Sequence, residues 1–293
     1  MIARLRPFVV LPPFALYAAL LVVLQMAAVR FDWPVKRRLP VHFHRLALKV
    51  IGVRVTVEGT PATGRPLLIT ANHASWLDIL VLGSLMPLSF VAKSEVASWP
   101  IFGLFAKLQR SIFIERERRA KAGAQAAELA ARLSEGDAMV LFPEGTTSDG
   151  LKLLPFRSAL VGAARAAIDA GGHAHVLVQP VAVAYTRLHG LPLGRQWRPL
   201  VAWLGDAELI PHLMGLAREG AVDVTVAFGA PITFDREGDR KAVTIRAEAE
   251  VRRLLSDAVG GRAPASAFPA AENTLERNEA AAASAASTGP EVP

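Results

Sequence analysis

Residues 70–79 read TANHASWLDI. A histidine, His73, and an aspartate, Asp78, stand five positions apart, directly after an apolar run, PLLIT, that reads as a buried strand. Strand ends in an α/β sheet are where polar side chains can face a ligand crevice. Asn72 and Ser75 are able to cap a helix beginning near residues 75–76. His73 would then stand in the turn, with Asp78 about one helical turn further on and able to point back. A carboxylate bonded to one imidazole nitrogen fixes the tautomer and leaves the other nitrogen to accept a proton. That is the arrangement of a general base serving a hydroxyl. The spacing alone is a weak signal, because seven histidines also produce it by accident.

Two further stretches carry polar chemistry. VLFPEGTTSDG, residues 140–150, is a hydrophobic strand ending in Pro143, Glu144 and Gly145, followed by hydroxyls and a carboxylate. Its bland reading is a strand-to-loop turn with a glycine at positive φ; its functional reading is a site loop at a strand end. In RSIFIERERR, Arg116 follows a buried strand, and by composition alone it opens a solvated charged helix. Other chemistries find little support. There are no cysteines, which excludes thiol catalysis and thiolate metal sites. No Gly-x-Ser-x-Gly elbow, P-loop or dinucleotide fingerprint occurs. His173 with His175, and His42 with His44, give two ligands apiece, too few for a metal, so none is expected.

The elements that must position these residues form an α/β pattern from Val53 onward. VRVTVEG, PLLITAN, LSFVAKSE, RSIFIER, DAMVLFPEG, HVLVQPVAVAY, RPLVAWLG and VDVTVAFGAPI read as strands. Helices are expected near 75–85, 97–108, 117–134, 156–170 and 239–259, packing on the faces of a central sheet. The domain is expected to span 53–261. Residues 262–293, rich in Ala, Ser, Glu and Pro, read as a disordered tail.

Residues 1–52 read as a membrane anchor with a basic amphipathic segment. Residues 7–29 hold no charged side chain and are long enough to cross a bilayer, although Pro12 and Pro13 are expected to break or kink the first turns. A cleaved signal peptide is the rival reading. Against it, Arg30, Lys36, Arg37, Arg38, Arg45, Lys49 and Arg54 follow, opposed by Asp32 alone. Such a flank favours the cytoplasmic side and attracts anionic headgroups. Residues 34–51 have apolar side chains near a helical period, interrupted by Pro40, and fit either an interfacial helix or one packed on the domain. The net charge of +7 is thus assigned to an anionic membrane surface. Nothing resembling a zinc finger, an RRM or a helix-wide basic stripe supports nucleic acid.

NHASWLD, SIFIER, FPEGTTS and VQPVAVA, in that order, resemble the four motif blocks of the glycerolipid acyltransferase family, the membrane-bound 1-acylglycerol-3-phosphate O-acyltransferases. FVAKSEV through WPIFG is also similar, and the resemblance covers roughly residues 30–235. It implies a glycerol-3-phosphate acyltransferase-like α/β domain with a central mixed sheet flanked by helices. It implies His73 as catalytic base and Asp78 as the group orienting it. Arg116 would help bind the acceptor phosphate, and Lys93 would lie in a basic acceptor channel. Glu144, Gly145 and Thr146 would shape the acceptor site, and Pro180 would support donor binding. The acyl donor would be a thioester of acyl carrier protein or coenzyme A, with no other cofactor, and the acceptor a lyso-lipid at the inner (cytoplasmic) membrane. Thr147 departs from the pattern, standing where the family has an arginine, and Arg110 and Ser111 stand where a glycine often begins the second block. Arg157 is the replacement cation the sequence offers. The family's commonest activity makes 1-acylglycerol-3-phosphate the expected acceptor, yielding phosphatidic acid. Lyso-ornithine lipid, which lacks phosphate, is the alternative, because FPEGTTSDG and LPFRSAL also resemble enzymes acylating it. A catalytically silent lipid-binding protein is the reading from another class; the intact His73–Asp78 pair speaks against it.

Overall fold

The computed structural model describes residues 2–114, 122–161, 164–165, 168–169, 173–205 and 207–261. Arg116 and the tail 262–293 lie outside them.

The chain opens with helix α1 (Ile2–Arg30), continuous through Pro7, Pro12 and Pro13. The expected break does not occur. Pro12 and Pro13 remove only the amide donors to the carbonyls of Phe8 and Val9, and the bonded turns on either side carry the helix across. A short 3₁₀ turn follows, then α2 (Leu39–Ile51). Pro40 falls in the first turn of α2, where no intrahelical donor is required. The face of α2 that buries His44, Ala47, Leu48 and Ile51 packs on the domain. Its neighbouring flank meets α1, where Phe14 and Phe43 stack at 5.8 Å. Helix α2 is therefore packed rather than free at an interface.

Arg6 ties the beginning of α1 to the body. Its Nη1 donates to Ile51 O at 3.1 Å and Ala217 O at 2.5 Å, and its Nη2 to Val50 O at 3.0 Å. A guanidinium is thus placed on the last carbonyls of two helices, the negative ends of their dipoles. Gly52 has φ +92°, and a Cβ there would come within 2.8 Å of Arg6 Nη2, so both conformation and space call for glycine. Near the other end of α1, Gln25 Nε2 donates to Lys36 O and Leu108 O, both at 2.9 Å. The helix between these anchors, about 28 Å long, therefore lies along the domain. Its outward face exposes Phe8, Val9, Leu16, Leu20 and Val23.

The strands are β1 (Val53–Glu58), β2 (Leu67–Ala71), β3 (Ser89–Lys93), β4 (Ile112–Ile114), β5 (Ala138–Leu141), β6 (His175–Leu188), β7 (Leu191–Pro192), β8 (Val222–Phe228) and β9 (Ile232–Asp235). They form a mixed sheet of order β1-β8-β6-β2-β5-β3-β4, with β7 and β9 also on β6. β6 runs parallel to β2 and antiparallel to β8 and β9. The inner strands β2 and β5 are buried throughout, as a sheet covered on both faces requires. Helices α3 (Leu77–Gly83), α4 (Pro100–Leu108), α5 (Ala122–Ser134), α6 (Ser158–Val161), α7 (Arg198–Val201), α8 (Leu209–Glu219) and α9 (Arg240–Val259) accompany the sheet, with further 3₁₀ turns at Ser94–Ser98 and Arg195–Trp197.

Three expectations change here. RPLVAWLG is not a strand: its first four residues form α7, with Pro199, which has no amide hydrogen for a ladder, in the first turn. VDVTVAFGAPI divides at Gly229–Pro231 into β8 and the start of β9. Helix α8 was not anticipated at all. Arg110, at the glycine-favoured position, has φ +61°. Its guanidinium pairs with Glu135 at 2.6 Å and Asp137 at 3.1 Å, which offsets part of the cost of that conformation.

Candidate active site

β2 lies between β5 and β6 in the sheet, so its C-terminal end is flanked by the ends of both neighbours. The chain leaves β2 at Asn72. That side chain does not cap a helix as expected. Its Nδ2 donates to Val183 O at 2.9 Å and its Oδ1 accepts from Val183 N at 2.7 Å, extending the β2–β6 ladder by one side-chain rung. His73 is thereby held at the sheet margin.

Ser75 Oγ accepts from Leu77 N, the first amide of α3, at 3.3 Å, while Asp78, fully buried in the first turn of α3, holds the preceding turn and orients the histidine. Its Oδ2 accepts from His73 Nδ1 at 2.8 Å, Ala74 N at 2.7 Å and Ser75 N at 2.9 Å. Its Oδ1 accepts from Tyr185 Oη at 2.6 Å. Four donors on one carboxylate offset the cost of burying it. The Tyr185 hydroxyl is pushed well above its ordinary range by burial and by the neighbouring carboxylate, so it remains a donor. Because an ionised carboxylate only accepts, the Nδ1–H tautomer is favoured and Nε2 is the basic nitrogen. Phe142 stacks on the imidazole with centroids 4.0 Å apart and planes inclined by 15°, which fixes the ring.

The FPEG loop reaches the same place from the end of β5. Glu144 Oε1 accepts from His73 N at 2.6 Å and Oε2 from Leu154 N at 2.9 Å. Burial raises its pKa to about 7 against the opposing pull of these two amides. Gly145 has φ +79°, the conformation that reverses the chain after Glu144. Ser148 N donates to His73 O at 2.8 Å. Thr146 is exposed, and Thr147 donates its hydroxyl to Trp203 O at 2.6 Å. Trp203 N in turn donates to Ala74 O at 2.8 Å, binding the segment after α7 to the histidine turn. On the other side of that turn, Trp76 Nε1 donates to His212 Nδ1 at 3.1 Å and attaches α8.

His73, Asp78, Glu144, Gly145 and Thr147 thus converge. Lys93 is exposed at the end of β3 and Arg157 is exposed before α6. Pro180 is buried in β6, where the strand exchanges β9 for β8 as its partner, a place suited to a residue without an N–H. Tyr185, Phe142, Ser148 and Trp203 had not been singled out. The one available signal was Tyr185, one of two tyrosines in the chain, closing an otherwise aliphatic strand.

Comparisons with known proteins place the chain in a family. A family model for acyltransferases matches residues 53–184. The chain is 51% identical over 262 residues to the lyso-ornithine lipid O-acyltransferase of Brucella abortus, covering 89% of this chain and 98% of that protein. It is 34% identical to the 1-acyl-sn-glycerol-3-phosphate acyltransferase of Neisseria gonorrhoeae, covering 72% and 78% respectively. Among solved structures, the 1-acyl-sn-glycerophosphate (LPA) acyltransferase PlsC from Thermotoga maritima matches with a TM-score of 0.55 at 20% identity, covering 87% of this chain and 97% of that one, a likeness of fold. With motif blocks, sheet and relatives in accord, the chain belongs to the acyltransferase family whose members acylate lyso-lipids.

Proposed function

We propose that this chain transfers a fatty acyl group from a thioester to the free hydroxyl of lyso-ornithine lipid. The acceptor expected first, 1-acylglycerol-3-phosphate, becomes the second reading. The observation that carries the change is the relative bearing the lyso-ornithine lipid name, 51% identical over nearly its whole length. Thr147 supports it, since a hydroxyl already given to Trp203 O makes no phosphate clamp.

In this reading Nε2 of His73 takes the acceptor's hydroxyl proton as that oxygen attacks the thioester carbonyl. The new C–O bond forms, the C–S bond breaks, and the leaving thiolate receives the proton from the imidazolium. Asp78 stabilises the imidazolium and Tyr185 holds Asp78. Glu144, Gly145 and Thr146 shape the acceptor side. Arg116, Lys93 and Arg157 supply cations, and the buried Pro180 acts on the donor only through the sheet. The donor is an acyl carrier protein or coenzyme A thioester, with no metal. The protein associates with the inner membrane from the cytoplasmic side, embedding the outer face of α1 without crossing, because Arg6 and Gln25 hold both ends of that helix on one domain. The basic residues after α1 would meet anionic headgroups.

The test is a purified enzyme, a labelled acyl thioester, and the two lyso-lipids offered side by side. Lyso-ornithine lipid should be the better acceptor, and His73→Ala should lose roughly 10²–10⁴-fold in rate. Faster transfer to lysophosphatidate would restore the second reading. Near-wild-type turnover by the His73 variant would sink the mechanism, and transfer to neither lipid would favour a silent lipid-binding protein.

A further inference from the structure

One charged side chain beside the site leaves two of its three nitrogens unsatisfied among the described residues. Arg198, at the start of α7, is 5% exposed. Its Nε and Nη1 are buried and have no hydrogen-bond partner among the described residues. The contrast with Arg6, whose guanidinium serves three carbonyls, is sharp. A buried cation left without acceptors is strongly disfavoured in water's absence, so proteins seldom retain one for packing alone. Burial indeed lowers the Arg198 pKa from its ordinary value, with Asp149 pulling the other way. Asp149 does not discharge the need, because its Oδ1 already accepts from Leu151 N and Lys152 N, and it forms no ion pair with Arg198 among the described residues.

The position of this guanidinium relates it to the chemistry. A Cβ placed on Gly150 would lie 3.7 Å from Arg198 Nη1 and 3.2 Å from the Cβ of Ala74, the residue after His73. Arg198 Nη1 and Ala74 therefore both lie against Gly150, at the end of the FPEG loop. Three backbone or side-chain bonds keep it there: Ala202 N to Arg198 O at 2.8 Å, Trp203 N to Ala74 O at 2.8 Å, and Thr147 Oγ1 to Trp203 O at 2.6 Å. The arginine missing at position 147 thus has a counterpart on the very segment that Thr147 grips. Arg157, the substitute the sequence offered, is exposed instead.

We propose that Arg198 is a further anion-binding residue of the acceptor site and that it receives the carboxylate of an amino-acid headgroup. The planar fork of a guanidinium matches a carboxylate with two parallel hydrogen bonds. An ornithine acylated on its α-amine keeps both that carboxylate and a side-chain ammonium, and Asp149 offers the negative charge nearby that a zwitterion calls for. This inference rests on the lyso-ornithine reading and adds the residue that recognises the headgroup.

The experiment removes the charge from each partner in turn. Wild type and Arg198→Met are assayed with lyso-ornithine lipid and with its carboxyl methyl ester, and KM is measured for acceptor and donor separately. Wild type should prefer the acid by roughly 10–100-fold in kcat/KM, the range of a charge-assisted bond. The Met variant should prefer neither form and keep the donor KM. Its melting temperature without ligand should not fall, since an unpartnered buried charge has been exchanged for an apolar side chain. Arg198→Gln, neutral but polar, should also lose the preference, and it decides the matter if the Met variant does not fold. An acid preference that survives in a folded variant overturns the assignment of Arg198 while leaving the acceptor intact, as does a wild type that uses acid and ester alike. A wild type that ignores lyso-ornithine lipid but acylates lysophosphatidate overturns both.

Discussion

Glu144→Gln separates the two burdens carried by that carboxylate. In the wild type the side chain is 2% exposed and accepts one amide on each oxygen. A glutamine has a single acceptor oxygen, so its NH₂ must oppose either His73 N or Leu154 N. One buried donor left unpaired costs about 1–3 kcal/mol at any pH. The second burden depends on pH. The Glu144 pKa is raised from 4.5 to about 7, chiefly by burial. Such a group contributes stability that is fully present below the unfolded value and is lost as pH rises through the folded one. The window runs from about pH 4.5 to about pH 7, and the full difference amounts to about 3 kcal/mol. The glutamine does not titrate. The wild type should therefore exceed the variant in stability at pH 5, and the gap should narrow by about 2–3 kcal/mol by pH 8. Urea midpoints of both proteins in the same detergent at pH 5, 6, 7 and 8 measure it. Parallel pH profiles for the two proteins would refute the reasoning, since they would show that Glu144 is not held protonated by burial.

Tyr185→Phe removes the 2.6 Å bond to Asp78 Oδ1 and should cost about 1.5–3 kcal/mol in stability. Its kcat should fall about 10-fold with the acceptor KM unchanged, because three donors still hold Oδ2; a KM effect without a kcat effect would mean that Tyr185 is not acting through Asp78. Thr147→Arg should lower use of lyso-ornithine lipid by about 10-fold and favour lysophosphatidate, because the added guanidinium can clamp a phosphate but repels the headgroup ammonium of a zwitterion whose carboxylate Arg198 receives. Unchanged acceptor selectivity would show that position 147 does not read the headgroup. Arg6→Met strips three carbonyls of their donor and should destabilise by about 2–3 kcal/mol. Limited proteolysis should then cut near α1 more readily, and wild-type resistance would argue against the clasp.

Much of the architecture was legible because its signals are local. Apolar runs such as PLLIT and VLVQPVAVAY are strands buried but for Leu177, and the 3.6-residue pattern of 239–259 is α9. The His73–Asp78 pair was legible for the same reason: five residues and one turn separate the partners, so their meeting depends on little beyond the start of α3. Where local signals conflict, the reading failed. RPLVAWLG has the composition of a strand, yet Pro199 cannot join a ladder, and the segment turns through α7 instead.

What only the tertiary structure decided are contacts between residues far apart in sequence. Glu144 meets the amide of His73 across 71 positions because β5 lies beside β2. Tyr185 meets Asp78 across 107 because β6 lies on the other side. The choice between Arg157 and Arg198 as a buried cation could not be made from composition, since both are single arginines in mixed sequence. Periodicity records which face of an element is apolar, over a few turns or rungs. It does not record which strand becomes whose neighbour, and the order of β5, β2 and β6 determines which distant side chains share the end of the sheet.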